Sequence, residues 1–271
     1  MKPRAIVNLD QLPDEQFFRE ISSGLNLILE NASRLNRDVE LLEENGRYNG
    51  GDILLSFAEE ELAKFFILLD AVRCPKSLRS RQLTKFIQHL PKGIYPIVYK
   101  GRYETFGEIE ELVKSLCQRF YLDGPTGADW IFRNWVIQQR EQAMYVDYAE
   151  TDQGNVWIAP TEAFGTDRWA EYLLTAHSLK DVGCTTPESL EAIANFWREI
   201  QMTADFHWST LQELNLKMLE ELEDRHLLVG QNSNVYGTIV DGWLFPLYQL
   251  EMKQNEVKIE ELRKIQKNLT P

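Results

Sequence analysis

The residues of this chain best suited to chemistry lie in the run AEEELAK, where Glu60, Glu61 and Lys64 fall within about one helical turn. At about 100° per residue, Leu54, Phe57, Ala58, Phe65, Leu68 and Val72 share one side of a helix. Glu61 then projects into that apolar side, with Lys64 at its flank and Glu60 slightly further round. A lone carboxylate there must be paired, protonated or facing a cavity, because burying its charge costs several kcal/mol. Two other pieces carry complementary groups: His89 with Lys92, and Arg140 at the head of REQAMYVDY. Phosphodiester cleavage without a metal needs a proton shuttle near neutral pH and a cation on the phosphate oxygens. His89 can supply the first, and Lys92 or Lys64 the second. Arg140 directed at Glu61 would neutralise the carboxylate, or else meet phosphate.

Each of these groups also has a plain structural use. Glu60 and Lys64 at i,i+4 form a surface pair worth only about 0.3–0.5 kcal/mol. Glu61 can sit at the core edge, and His89 can cap a helix C-terminus as a cation. A carboxylate-bridged metal site would need an E-x-x-H helix, which the chain lacks. Cys74, Cys117 and Cys184 are odd in number and scattered, and no GxxxxGK[ST], GxGxxG or CxxC occurs. No metal and no cofactor are therefore expected. His177 is isolated, His207 is placed inside an aromatic helix, and His226 is read as a helix cap.

The elements that must position these residues are helical. Phe18, Ile21, Leu25, Ile28, Ala32, Leu35, Val39 and Leu42 recur at spacings of three and four, which predicts a helix from 14 to 44 with Asp14 as its N-cap. GRYNGG ends it, Asp52 caps the second helix, and the short loop makes the pair an antiparallel αα-hairpin. Further helices are expected at 77–90 (ended by Pro91, Gly93 and Pro96), 106–121, 129–144, 162–179 and 187–228, with a charged one reaching about 268. Arg133 and Arg140, seven apart, would share a face of the 129–144 helix. Residues 145–161 read as an ordered loop with a short hairpin. The fold class is all-α: a helical bundle built on the long hairpin over residues 1–180, with an acidic helical extension over 181–271.

Composition sets bounds on partners. With 44% hydrophobic residues the chain can bury a large core, and no stretch suits a membrane span. The early acidic N-terminus does not read as a signal peptide, and the cysteine usage suits the cytoplasm. A net charge of −13 argues against general nucleic-acid binding. Yet between Ala71 and Tyr103 there is no Asp or Glu, while Arg73, Lys76, Arg79, Arg81, Lys85, Lys92, Lys100 and Arg102 all occur. Such a segment fits a phosphate-bearing ligand or an acidic surface of a second subunit. Phe86, Tyr95, Tyr99 and Tyr103 are interleaved with it, placed to stack bases or to anchor a homodimer.

Asn31-Ala32, GRYNGG, AEEELAK, FIQHLPK, REQAMYVDY and VWIAP follow one another in order across residues 17–160. In that order and spacing the chain resembles the AbiV family of bacterial abortive-infection proteins, grouped with the HEPN-like all-helical proteins. The resemblance implies antiphage defence through an arrest of translation, by a homodimer that responds to a phage-encoded activator protein. HEPN relatives are frequently metal-independent ribonucleases with an Arg, about four to six residues, then a His. This chain departs from that pattern, since seven residues separate Arg81 from His89. The candidate catalytic set is Glu61, Lys64, His89 and Arg140; Glu60, Arg79, Arg81, Lys85, Lys92 and Tyr145 are the candidates for meeting RNA, a ribosome-associated target or a partner. The contrasting expectation is a non-catalytic helical protein that sequesters a phage or host partner.

Overall fold

The computed structural model describes residues 5–124, 127–151, 154–159, 169–229, 233–256 and 258–269. For 139–143, 147–151, 154–156, 158, 233 and 269 the backbone alone is described. Helix α1 (Asp14–Glu44) has the predicted bounds, and its seam buries Phe18, Ile21, Leu25, Ile28, Ala32 and Val39. Its end is a Schellman turn: Gly46 adopts φ 68° and donates to the Glu43 carbonyl, while Arg47 N–H reaches back to Leu42. Asp14 is the first helical residue, not the cap, because Pro13 takes that place.

Helix α2 (Tyr48–Arg73) starts four residues before the expected Asp52 cap, so the NGG segment is helical. From Leu62 onward it is buried almost all round, including Phe65, Phe66, Leu68, Leu69 and Asp70. It is the central helix, and its polar residues are correspondingly constrained.

The expected 77–90 helix is two helices. Helix α3 (Lys76–Thr84) passes through a 3-10 turn (Lys85–Ile87) into α4 (His89–Lys100). Pro91 was expected to stop a helix, but it sits in the first turn of α4, where no intrahelical N–H is needed. Gly93 and Pro96 also lie inside α4. A Cβ at Gly93 would stand 2.3 Å from Val136 Cγ1, so glycine is what lets α6 approach α4 there.

Helix α5 (Phe106–Leu116) precedes an antiparallel hairpin, β1 (Phe120–Asp123) with β2 (Trp130–Arg133), where a helix was expected. Arg133 therefore ends a strand opposite Phe120 and shares no helix face with Arg140. Helix α6 (Trp135–Met144) follows, then the short hairpin β3 (Asp147–Thr151) with β4 (Gly154–Ile158). Helix α7 (Trp169–Asp181) covers the described part of the 162–179 prediction.

The 187–228 stretch is interrupted. Helix α8 (Pro187–Trp197) is capped by the Thr186 hydroxyl, which accepts from Ser189 N–H at 3.3 Å. Helix α9 (Trp208–Asp224) begins at His207, whose ring accepts from Ser209 N–H, so His207 is a cap rather than a helix interior residue. His226 follows with φ 57°. Helices α10 (Ser233–Gly242) and α11 (Ile259–Leu269) complete the chain. One apolar core runs from Phe17 to Met252, so residues beyond 181 pack into the same interior as the hairpin. Among the described residues no helix is long and apolar enough to cross a membrane.

Candidate active site on the second helix

Three consecutive carboxylates of α2 fan out by about 100° each and meet three different cations. Glu59 pairs with Lys100 at the end of α4, and Glu61 with Lys64 one turn further along α2. Glu60 Oε2 accepts from Lys92 Nζ at 2.7 Å, and the same oxygen stands 3.6 Å from His89 Nδ1. Lys92 (8% exposed) and Glu60 (13%) are nearly enclosed, whereas the His89 side chain is 56% exposed. The result is layered: a buried cation, a carboxylate fixed by it, and an imidazole on the outside. Lys64 Nζ also lies 5.5 Å from the Phe86 ring centre, which holds it beside this group.

The structure thus brings Glu60, His89 and Lys92 together, with Glu61 and Lys64 alongside. His89 opens α4 rather than closing a helix, so cation capping of a C-terminus does not apply. Glu60, not Glu61, is the more enclosed of the two acids. The Arg140 side chain lies outside the described residues. Tyr145 follows α6 and is exposed.

The basic segment turns largely inward. Arg79 pairs with Asp14 at 3.1 Å and lies 3.9 Å from the centre of the Phe17 ring. Lys85 Nζ donates to the Leu247 carbonyl at 2.8 Å, and Arg81 to the Tyr248 carbonyl at 3.0 Å. Of the basic residues singled out for binding, Arg79, Lys85 and Lys92 are buried and Arg81 is exposed. Tyr95 and Tyr99 are core residues, so base stacking by them is ruled out in this structure.

Beneath the surface layer lies a network that the sequence analysis passed over. Asp70 Oδ1 accepts from Arg73 at 2.7 Å; Oδ2 accepts from Tyr95 OH at 2.7 Å and from Leu247 N–H at 2.8 Å. Gln82 donates to Tyr95 OH at 2.8 Å, and Arg73 donates to the Leu244 carbonyl at 3.0 Å. The Arg73 guanidinium is flanked by Trp243 and Trp197, 4.5 and 5.2 Å from their ring centres. The signal was available: an acid and an arginine three apart inside the apolar run ILLDAVR.

Burial draws the Lys85 ammonium down to about 7, with Arg81 pushing the same way and Asp70 opposing. The unfolded chain keeps the ordinary lysine value of 10.5 and so binds more protons there above pH 7. Stability is expected to rise with pH from about 7 to 9, by up to about 1.4 kcal/mol per unit. Above about pH 9 the sign reverses, because burial raises the Cys74 and Cys184 thiols to about 12 and only the unfolded chain ionises them. Urea midpoints at these pH values check this, and Lys85→Met should flatten the rise. An identical slope in that variant would dismiss Lys85 as its source.

His177 contacts Ser33 Oγ through Nε2 at 2.9 Å, so it ties α7 to α1 rather than standing alone. Among the described residues no three His, Cys, Asp or Glu side chains gather as a metal site.

Comparison with known proteins agrees with this architecture. The family profile of AbiV, of the HEPN group, matches residues 20–181, from the first turns of α1 to the end of α7. No curated protein and no solved structure matches the chain. Because that match spans more than half of the sequence and contains the whole Glu60–His89–Lys92 arrangement, the chain belongs to the AbiV family of HEPN-like abortive-infection proteins.

Proposed function

We propose that the protein is an antiphage effector that arrests translation by cleaving RNA without a metal, with His89 as the proton-transfer group. One observation carries the reading: His89 Nδ1 stands 3.6 Å from the Glu60 oxygen that Lys92 holds at 2.7 Å. Lys92 fixes the Glu60 carboxyl in place, Glu60 orients the imidazole through Nδ1, and Nε2 is the nitrogen assigned to take a proton. A small side-chain rotation closes the gap to hydrogen-bonding distance. In the reaction, Nε2 removes the proton of a ribose 2′-hydroxyl, whose oxygen attacks the adjacent phosphorus. The 5′-oxygen leaves with the proton that the His89 imidazolium returns, giving a 2′,3′-cyclic phosphate, and Lys64 faces the charge on the phosphorane oxygens. Arg81, Tyr145 and Arg140 are the proposed contacts to the rest of the RNA.

The test is incubation of the full chain with total RNA or tRNA in a chelator. Discrete products should form, and His89→Ala should slow them by about a hundredfold or more. Glu60→Gln should shift the pH profile of the remaining cleavage. An absence of products with the unaltered chain, or full activity of His89→Ala, would remove the catalytic reading.

The second reading, sequestration of a phage or host partner, has its own support. Leu41 and Tyr48 expose large apolar side chains near the turn of the α1–α2 hairpin. These side chains suit a homodimer or a phage-encoded activator.

A further inference from the structure

A cavity of about 350 Å³ lies away from Glu60, between the starts of α1 and α3 and the last turns of α8. Its wall combines Lys76, Arg79 and Arg198 with Asp14 and Glu191, and its apolar part is Phe18, Pro75 and Ala194. Both helices that begin here have a proline as N-cap, Pro13 and Pro75, and neither cap supplies a side-chain hydrogen bond. The first-turn amides of α1 and α3 therefore add their partial positive charge to three cations.

Arg79 is the fixed member. It is only 4% exposed, it is braced over the Phe17 ring, and its Nε has no hydrogen-bond partner. Its Nη1 and the Lys76 ammonium both lie 3.1 Å from a single oxygen, Asp14 Oδ1. Lys76 first, and Arg79 with it, hold the Asp14 carboxyl below the usual carboxylate range. Asp14 thus already shows what this corner accepts: an oxyanion. Being half-exposed, it fills the position of an anion without closing the cavity.

We infer that this cavity binds a small phosphate monoester, its phosphate displacing Asp14 from Lys76 and Arg79 and reaching Arg198, its organic part against Phe18, Pro75 and Ala194. A phosphate offers three terminal oxygens, enough for a guanidinium, an ammonium and helix N–H groups at once. Glu191 and Asp14 oppose longer polyphosphates. Cys74 forms wall only, since burial raises its thiol to about 12 and leaves no thiolate to react.

Calorimetric titration of the full chain with phenyl phosphate at low salt tests this, with inorganic phosphate as the second probe. Phenyl phosphate should bind one to one and more tightly than inorganic phosphate. Lys76→Ala and Arg198→Ala, both at exposed positions, should each weaken it about tenfold while leaving the melting temperature in place. Asp14→Asn should tighten it by removing the competing carboxylate. Titrations without heat, unchanged affinity in both cation variants, or weaker binding by Asp14→Asn would overturn the site. Equal affinity for the two probes would overturn the monoester assignment.

Discussion

Asp70→Ala is expected to melt on the order of 10 °C lower than the unaltered chain, the largest effect of any single substitution considered. Removing this acid leaves the Arg73 guanidinium fully buried, with the Leu244 carbonyl as its remaining acceptor. Breaking one side of a buried ion pair costs about 3–5 kcal/mol, and each stranded donor adds about 1–3. Two such donors exist here, Tyr95 OH and Leu247 N–H. Against a total stability of about 5–15 kcal/mol, that is a large share. The double variant Asp70→Leu/Arg73→Met should lose less than Asp70→Ala alone, because it removes both charges. An Asp70→Ala protein that melts with the unaltered chain would show that the network contributes nothing.

A chain ending at Gly242 is expected not to reach the native packing at all. It would lack Trp243, Phe245, Leu247 and Tyr248, all fully enclosed in the core. It would also lack the carbonyls of Leu244 and Leu247 that receive Arg73 and Lys85. Lost near-ultraviolet circular dichroism, with helical signal retained, is the expected readout. A chain ending at Lys253 keeps the whole segment and should fold. Cooperative melting of the shorter chain at the normal temperature would mean that the residues up to Gly242 close the core without the segment that follows.

The sequence shows most clearly what repeats locally. Helix α1 was legible in its extent, though not in its cap, because its seam is long and bounded by Pro13 and Gly46. Helix α8 was equally plain at its start, with Thr186 and Pro187. The β1–β2 hairpin was missed because WIF-RNWV is aromatic and short, and such runs suit strand or buried helix alike. Pro91 misled because a proline ends a helix in its interior yet begins one in its first turn. The site was half legible. His89, Lys92 and the AEEELAK acids were recognisable as groups, but which acid meets which cation depends on how α4 crosses α2.

The inward turn of Arg81 and Lys85 was not legible, since their partners are main-chain carbonyls. A carbonyl looks the same at every residue, so nothing in the letters marks Leu244 or Leu247 as a receiver for Arg73 or Lys85. The reasoning that an acid amid hydrocarbon needs a partner was sound but aimed one site too early. It holds more strictly for Asp70 than for Glu61, which Lys64 serves from the same helix.

The bond from Leu247 N–H to Asp70 joins residues 177 apart in sequence. Such a long loop must close before the contact returns any free energy, which places this bond late in folding. During synthesis the ribosome must emit at least 247 residues before α2 can seal its interior. A nascent chain stalled between residues 181 and 243 carries the AbiV-matching region but not its keystone.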